Sequence, residues 1–320
     1  NIGNAKVPDE RLDWLAEYYH PKKYSPATIE FVDVAGVSKG GKGNEVFQAI
    51  RQTDALVHVV RCFDNDEIFL EKADARRDAE AFDLEMILAD IEIVERRLER
   101  AKKNAKSGDK KYKRECEMCE ALIEHLSDGK AARSFNFTEE DEDILTDGGL
   151  MTVKPVIYAA NLDEDGMANY SDNANFKALS ELAGEQGAAV LPVAAKFEED
   201  IAEMDPDEAK MFMEDLGLTE TGLNRLIKTS YDLLGYISFL TAGEDDVHAW
   251  TIVRGTKAPK AAGKIHTDIE RGFIRAEIVA FEDLKACGSM AAAKEKGLFR
   301  LEGKDYVMQD GDVTNFRFNV

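Results

Sequence analysis

Apolar residues fall in three textures along the chain. In the first, short apolar runs alternate with helical stretches. Residues 28–33 read as a strand ending in an acid, followed by a glycine-rich loop through Gly43 and a helix from about Glu45. Residues 55–60, 155–160 and 188–193 read as further strands, with a helical stretch at 175–186 between the last two. Strands separated by helices predict one parallel α/β sheet. The second texture lies between the second and third of these strands. Leu84, Ile87, Ile91, Val94, Leu98, Ala101 and Ala105 keep a three-four spacing, Ser107-Gly108-Asp109 breaks it, and Tyr112, Cys116, Cys119, Ile123 and Leu126 return it. This predicts an antiparallel helical hairpin inserted into the α/β domain. Helices at 206–216 and 220–234 follow. From a boundary near Gly235 the texture becomes short alternating strands, at 248–253, 273–279 and 314–319, around an Ala-rich helix at 258–263. That order suggests a small α+β domain of the β-grasp type.

Composition narrows the function classes. The chain has 320 residues, 44% hydrophobic and 32% charged, with no apolar run long enough to cross a bilayer, so a soluble protein of more than one domain and no membrane partner are expected. Asn1 and the five residues after it lack the plan of a secretory signal, and the natural start is expected to lie upstream. Four scattered cysteines do not make a disulfide framework, which points to a reducing cytoplasm. A net charge of −22 argues against the whole surface as a nucleic-acid glue, and no DNA specificity is evident. Residues 96–114, at the hairpin tip, nevertheless carry ten basic side chains against two acids, a local +8. Lys102, Lys103, Lys110 and Lys111 are therefore candidates for contact with RNA or a ribosome, and the plainer reading is a solvated face.

Several loops carry candidate chemistry. In P-loop hydrolases an acid after a strand holds magnesium, usually through water, and a following glycine lets its amide meet the terminal phosphate; Asp33-Val34-Ala35-Gly36 has that form, though a strand-to-turn Asp beside a flexible Gly has it too. Gly36 to Gly41-Lys42 reproduces the spacing of a phosphate-binding loop, but Gly43 stands where Ser or Thr must donate a hydroxyl to the metal. A mobile switch loop is the better reading. Asn161-Leu162-Asp163-Glu164 follows the third strand. Base-reading loops of GTPases end in Asp, whose carboxylate accepts two hydrogen bonds from guanine; Glu164 moves that charge by a methylene, which disfavours guanine and leaves adenine to be met by Asn161 or backbone. A polar turn is the alternative. Val193-Ala194-Ala195-Lys196 ends the fourth strand with residues small enough for backbone to approach a base. Three such loops after parallel strands sit where α/β sheets bind ligands. Cys116 and Cys119 continue the hairpin stripe and read as packing rather than zinc ligands, and His58, inside a strand, reads as a satisfied core or rim residue.

These residues, with His58-Val59-Val60-Arg61-Cys62-Phe63, Ala249-Trp250-Thr251, residues 262–268 (Ala-Gly-Lys-Ile-His-Thr-Asp) and residues 272–277 (Gly-Phe-Ile-Arg-Ala-Glu), resemble the YchF or Obg-like ATPase family over nearly the whole chain. The resemblance implies an α/β P-loop NTPase G domain at 1–77 and 134–234, an inserted helical coiled-coil hairpin at 78–133, and a C-terminal β-grasp (TGS) domain at 235–320. It implies ATP hydrolysis, with GTP the lesser substrate and Mg2+ as cofactor. Asn161, Leu162 and Glu164 then lie at the base, with Phe63 packing near adenine and Asp33 near magnesium. Val37 stands where Ras-like enzymes place the water-orienting Gln. Three departures stand out: the family's N-terminal phosphate loop and threonine switch are absent before Val7-Pro8-Asp9-Glu10-Arg11, the loop after Gly36 is short, and no histidine follows Ile68. Segments left out around the nucleotide site are expected to account for all three. A true truncation is the alternative, and such a chain would not hydrolyse nucleotide. The function implied is an ATPase whose nucleotide state governs ribosome or RNA contact through the hairpin and the TGS module. A non-catalytic RNA- or protein-binding adaptor on a G-domain scaffold is the rival.

Overall fold

The computed structural model describes residues 1–34, 43–106, 108–141, 149–215 and 218–319. The chain divides into two compact units: Asn1 with Val32–Leu226, and Ile2–Phe31 with Ile227–Val320. The N-terminal residues placed above with the G domain thus cluster with the C-terminal unit.

In chain order, β1 (Ile2–Lys6), α1 (Glu10–Tyr19), β2 (Lys23–Ser25) and β3 (Thr28–Val32) come first, then α2 (Gly43–Arg51) and β4 (Leu56–Arg61). The hairpin helices are α3 (Ala75–Ala105) and α4 (Lys110–Ser127). Next come β5 (Val156–Asn161), α5 (Glu164–Ala168), α6 (Ala174–Gln186), β6 (Ala189–Val193), α7 (Ala195–Glu203), α8 (Pro206–Asp215) and α9 (Gly222–Leu233).

The first unit is built on a parallel sheet in the order β4-β5-β6. Val156 to Ala160 of β5 are all buried, as a central parallel strand covered on both faces requires. Leu179, Leu182 and Ala183 of α6 join Ala75 and Ala79 of α3 over one face, against Val60, Tyr158 and Leu162. The expected four-stranded sheet is corrected here. Residues 28–32 pair with β1 in a separate two-stranded sheet, because β1 offers an antiparallel edge: Asn1 bonds with Asp33 at one end and Val7 with Ala27 at the other.

The inserted hairpin is present, with Gly108 at φ 86° turning the chain between its helices and Asp109 capping α4 through the Lys111 N–H. Ile87, Val94, Cys119, Leu122 and Leu126 form its core. The stripe read from spacing needs one correction at its root. Leu84 is 50% exposed, and Met86 and Asp90, off the stripe, turn inward beside Ile87. Asp90 is wholly buried and accepts from the Met151 and Thr152 N–H groups and the Thr152 hydroxyl, anchoring the segment that leads into β5. Burial pushes its carboxyl above the usual range.

In the second unit β7 (Tyr236–Ala242) and β8 (Asp246–Val253) form an antiparallel pair, and α10 (Ala258–Ile265), α11 (Thr267–Arg271), β9 (Phe273–Ala280), α12 (Phe281–Cys287), α13 (Met290–Glu295), β10 (Arg300–Glu302) and β11 (Asp312–Phe318) complete it. The sheet order is β10-β9-β11-β7-β8-β2, with β11 parallel to β7. Alternation along β7 sends Ile237 and Phe239 to the face covered by Ala258, Ala261 and Ala262, and Leu240 to the face covered by Leu12 and Leu15 of α1. The expected β-grasp arrangement is thus present, with α1 and β2 added from the N-terminal segment.

Candidate functional site

The three parallel strands finish level with one another. Arg61 registers with Asn161, and Asn161 with Val193, so the loops that follow emerge side by side at one carboxyl edge. Two backbone bonds carry the ladder one step further: Cys62 N–H donates to the Asn161 carbonyl at 2.8 Å, and Leu162 N–H to the Val193 carbonyl at 2.8 Å. The Asn161 side chain then closes the arrangement, its Oδ1 accepting from the Ala195 N–H at 3.0 Å. The sequence motifs at Asn161 and Ala195 therefore meet through a direct bond.

Within the 161–164 loop the four side chains divide their work. Leu162 is buried in the core beneath the sheet, so only its backbone reaches the site. Asp163 caps α5, accepting from the Gly166 N–H at 2.8 Å, and its Oδ1 would lie 2.6 Å from a Cβ at Gly166. Glu164, in the first turn of α5, presents an exposed carboxylate.

On the β4 side, Cys62 is buried, and burial pushes its thiol up to about 12, so it stays protonated at neutral pH. The Asn173 side-chain amide donates to the Cys62 carbonyl at 3.0 Å, which fixes the chain just before Phe63. Phe63 is half-buried and meets Phe69 edge-on, with ring centroids 6.2 Å apart. Arg61 stacks its guanidinium 4.1 Å from the Phe69 ring centroid and donates from Nη2 to the Glu71 carbonyl at 3.0 Å. Asn173 did not stand out in the sequence, because the segment it holds lies 111 positions away, and Arg61 stood there only as part of a longer motif with no role of its own.

Asp33 lies at the end of β3, exposed, with its backbone paired to Asn1. It belongs to the separate two-stranded sheet rather than the edge that gathers the other loops. Gly36, Val37 and the near-match through Gly43 as a phosphate-binding loop lie in or run across residues 35–42, outside the described residues.

At the hairpin tip Lys102, Lys103, Lys110 and Lys111 are all exposed. The basic surplus counted along the sequence is partly offset in space: Lys102 pairs with Glu120 at 2.7 Å, Arg97 with Glu115 at 2.7 Å, and Arg114 with Glu140 at 2.8 Å. Cys119 is fully buried in the hairpin core, where its thiol is pushed up to about 11 by burial. His58 departs from its expected satisfied state. It sits against Phe82 and Tyr158, and its Nδ1 is buried without a hydrogen-bond partner among the described residues. No helix among the described residues is long and apolar enough to cross a membrane.

Comparison with known proteins bears on the whole chain. A family model, YchF-GTPase_C, described as a protein of unknown function (DUF933), matches residues 236–319. A "Ribosome-binding ATPase YchF" of Bacillus subtilis (strain 168) is 50% identical over 327 aligned residues, covering 100% of this chain and 89% of the relative. "Obg-like ATPase 1" of Oryza sativa subsp. japonica is 40% identical, covering 100% of this chain and 83% of the relative. The solved structure of the Schizosaccharomyces pombe YchF GTPase superposes with a TM-score of 0.89 at 33% identity, over 99% of this chain and 87% of that one. Identity of 40–50% to these relatives across the whole of this chain, with a superposition over 99% of it, establishes that the chain belongs to the YchF family of Obg-like ATPases.

Proposed function

We propose that the chain is a nucleotide-binding hydrolase that takes ATP in preference to GTP and couples its nucleotide state to ribosome contact. The carrying observation is the bonded pair Asn161 and Ala195 at the carboxyl edge of β5 and β6, in a chain half identical to a ribosome-binding ATPase. Asn161 holds the 161–164 loop and the 193–195 loop at a fixed separation, which preorganises a slot for a purine between them. Asn161 or the backbone of Leu162 and Ala195 accepts from the exocyclic amine of adenine, Glu164 lies at the base with its carboxylate a methylene too far out for guanine, and Phe63 gives an apolar surface beside the base. Asp33 and Gly36 belong to the phosphate end.

A magnesium ion fits this reading. Magnesium bound with a nucleotide keeps most of its waters and takes one or two carboxylates, so a single exposed acid after a strand suffices, and Asp33 is that acid. When bound, the ion neutralises charge on the phosphates. The hairpin lysines Lys102, Lys103, Lys110 and Lys111, with the TGS domain, provide the ribosome or RNA surface. The cytoplasm is then the working compartment, and the divisions at 78–133 and 235–320 are kept as functional modules.

Calorimetric titration of the full-length protein with ATP and with GTP, each with magnesium, tests the reading. ATP binding tighter than GTP is expected, and failure to bind either nucleotide would sink it. Asp33→Asn is expected to lower the magnesium dependence of ATP binding while leaving magnesium-free binding unchanged.

A further inference from the structure

Arg61 is the basic side chain at the carboxyl end of β4, and one of its nitrogens has no hydrogen-bond partner among the described residues. It stands beside Asn161 in the ladder, and Asn161 in turn bonds to Ala195 across β6. The order across the sheet edge is therefore Ala195, Asn161, Arg61. With base-reading groups on β5 and β6, a nucleotide that lays its base over that pair extends its phosphates away from β6. The neighbour of β5 on that side is β4.

The Arg61 guanidinium is held rigidly. One face lies on the Phe69 ring, and Nη2 donates to the Glu71 carbonyl. Nη1 is buried with no hydrogen-bond partner among the described residues. The acids of the following loop are engaged elsewhere. Asp64 accepts from the Ala73 N–H at 2.7 Å, which holds its carboxyl below the usual range, with Lys72 and the Arg61 charge adding to that effect. Asp66 pairs with Lys72 at 3.3 Å, and Glu71 lies 3.8 Å from Arg77. A buried charged donor left unmade is costly, so an acceptor is expected from outside this set of side chains. An anionic acceptor suits it best, since guanidinium matches phosphate oxygens in charge and geometry.

We propose that Arg61 is a nucleotide-contact residue whose Nη1 donates to a phosphate oxygen of the bound adenine nucleotide, while Phe69 and the Glu71 carbonyl keep its fork aimed. The inference rests on the nucleotide-binding reading above. It adds to that reading a positive group on the β4 side, where the base-reading motifs supply none.

The test is binding of ATP and of adenosine to the full-length protein and to its Arg61→Gln and Arg61→Lys variants, adenosine being followed by competition and the thermal midpoint of each protein recorded. Arg61→Gln is expected to lose about tenfold or more in ATP affinity, as for a hydrogen bond to a charged group, and less than about twofold for adenosine. Arg61→Lys keeps the charge without the fork, so it should show a smaller loss, again confined to ATP. Should Arg61→Gln prove too unstable to titrate, the lysine variant carries the same comparison. Variants whose ATP-to-adenosine ratio matches the parent overturn the contact and leave Arg61 a staple of the 62–74 loop. A parent protein that binds no ATP overturns the nucleotide reading, and this contact with it.

Discussion

Glu164 and Asp163 are adjacent carboxylates with different surroundings, and the difference decides which of them is free to meet a ligand. Asp163 is committed to the Gly166 N–H as a helix cap, whereas Glu164 is exposed one position on. Shortening the free carboxylate by a methylene restores the reach that guanine pairing needs. Glu164→Asp is therefore expected to shift the ratio of GTP to ATP affinity by about tenfold toward GTP, a difference of about 1.4 kcal/mol by calorimetry. An unchanged ratio would leave Glu164 a helix-surface residue. His58 sets a pH dependence. Burial depresses its pKa below the ordinary 6.5, Arg133 adds to the depression and Asp83 opposes it. The unfolded chain then binds more protons than the folded one between the depressed value and 6.5, so stability is full above that window and falls as pH drops through it. His58→Phe should flatten the fall in thermal midpoint between about pH 7.5 and pH 5.5, to the extent that His248, also depressed by burial, does not sustain it.

At the scale of elements, the hairpin is joined to the sheet by a buried polar cluster. Asp83 on α3 accepts from Tyr158 on β5 at 3.1 Å, from the Gln186 amide at 3.1 Å and from Arg133 at 3.3 Å. The Tyr158 hydroxyl has one proton and two acceptors in reach, Asp83 and the Gln186 carbonyl oxygen at 2.9 Å, so the cluster has two bonding patterns. Burial, with the Asp83 charge next, pushes the Tyr158 phenol well up and keeps that proton in place. Removing Asp83 leaves the Arg133 charge buried without its partner. Asp83→Ala is expected to cost about 3–5 kcal/mol in urea unfolding. Leu122→Ala, which opens a cavity at a fully buried site of the hairpin core, is expected to cost about 2–5 kcal/mol. A cost near zero for Asp83→Ala would show that the cluster does not bind the hairpin root to the sheet.

For the molecule as a whole, charge is the informative quantity. An acidic body of net charge −22 repels phosphate backbones at long range, so a contact with RNA must rely on a local field. The hairpin tip supplies one, reduced from the sequence count by the pairs to Glu115, Glu120 and Glu140. Reversing Lys102, Lys103, Lys110 and Lys111 to Glu is expected to weaken ribosome co-sedimentation and to flatten its dependence on salt. Unchanged pelleting would make the cluster a solvated face.

The sequence determined many of the elements, though β1, α1, β2 and β7 were not read from it. Period two, period three-four and glycine-rich breaks located the strands ending at Arg61, Asn161 and Val193, the hairpin and the C-terminal strands, because these patterns reflect which faces are buried. The loops proposed to read the base were legible for the same reason: motif and strand end are contiguous in the chain. Tertiary structure alone decided what depends on pairing between distant segments. It gave residues 28–32 to β1 rather than to the parallel sheet, turned Leu84 outward and Asp90 inward, engaged Lys102 with Glu120, and set Arg61 beside Asn161 with Nη1 unpaired. A residue's period shows whether it is buried. Which acceptor its polar atoms find depends on chain brought in from a hundred positions away.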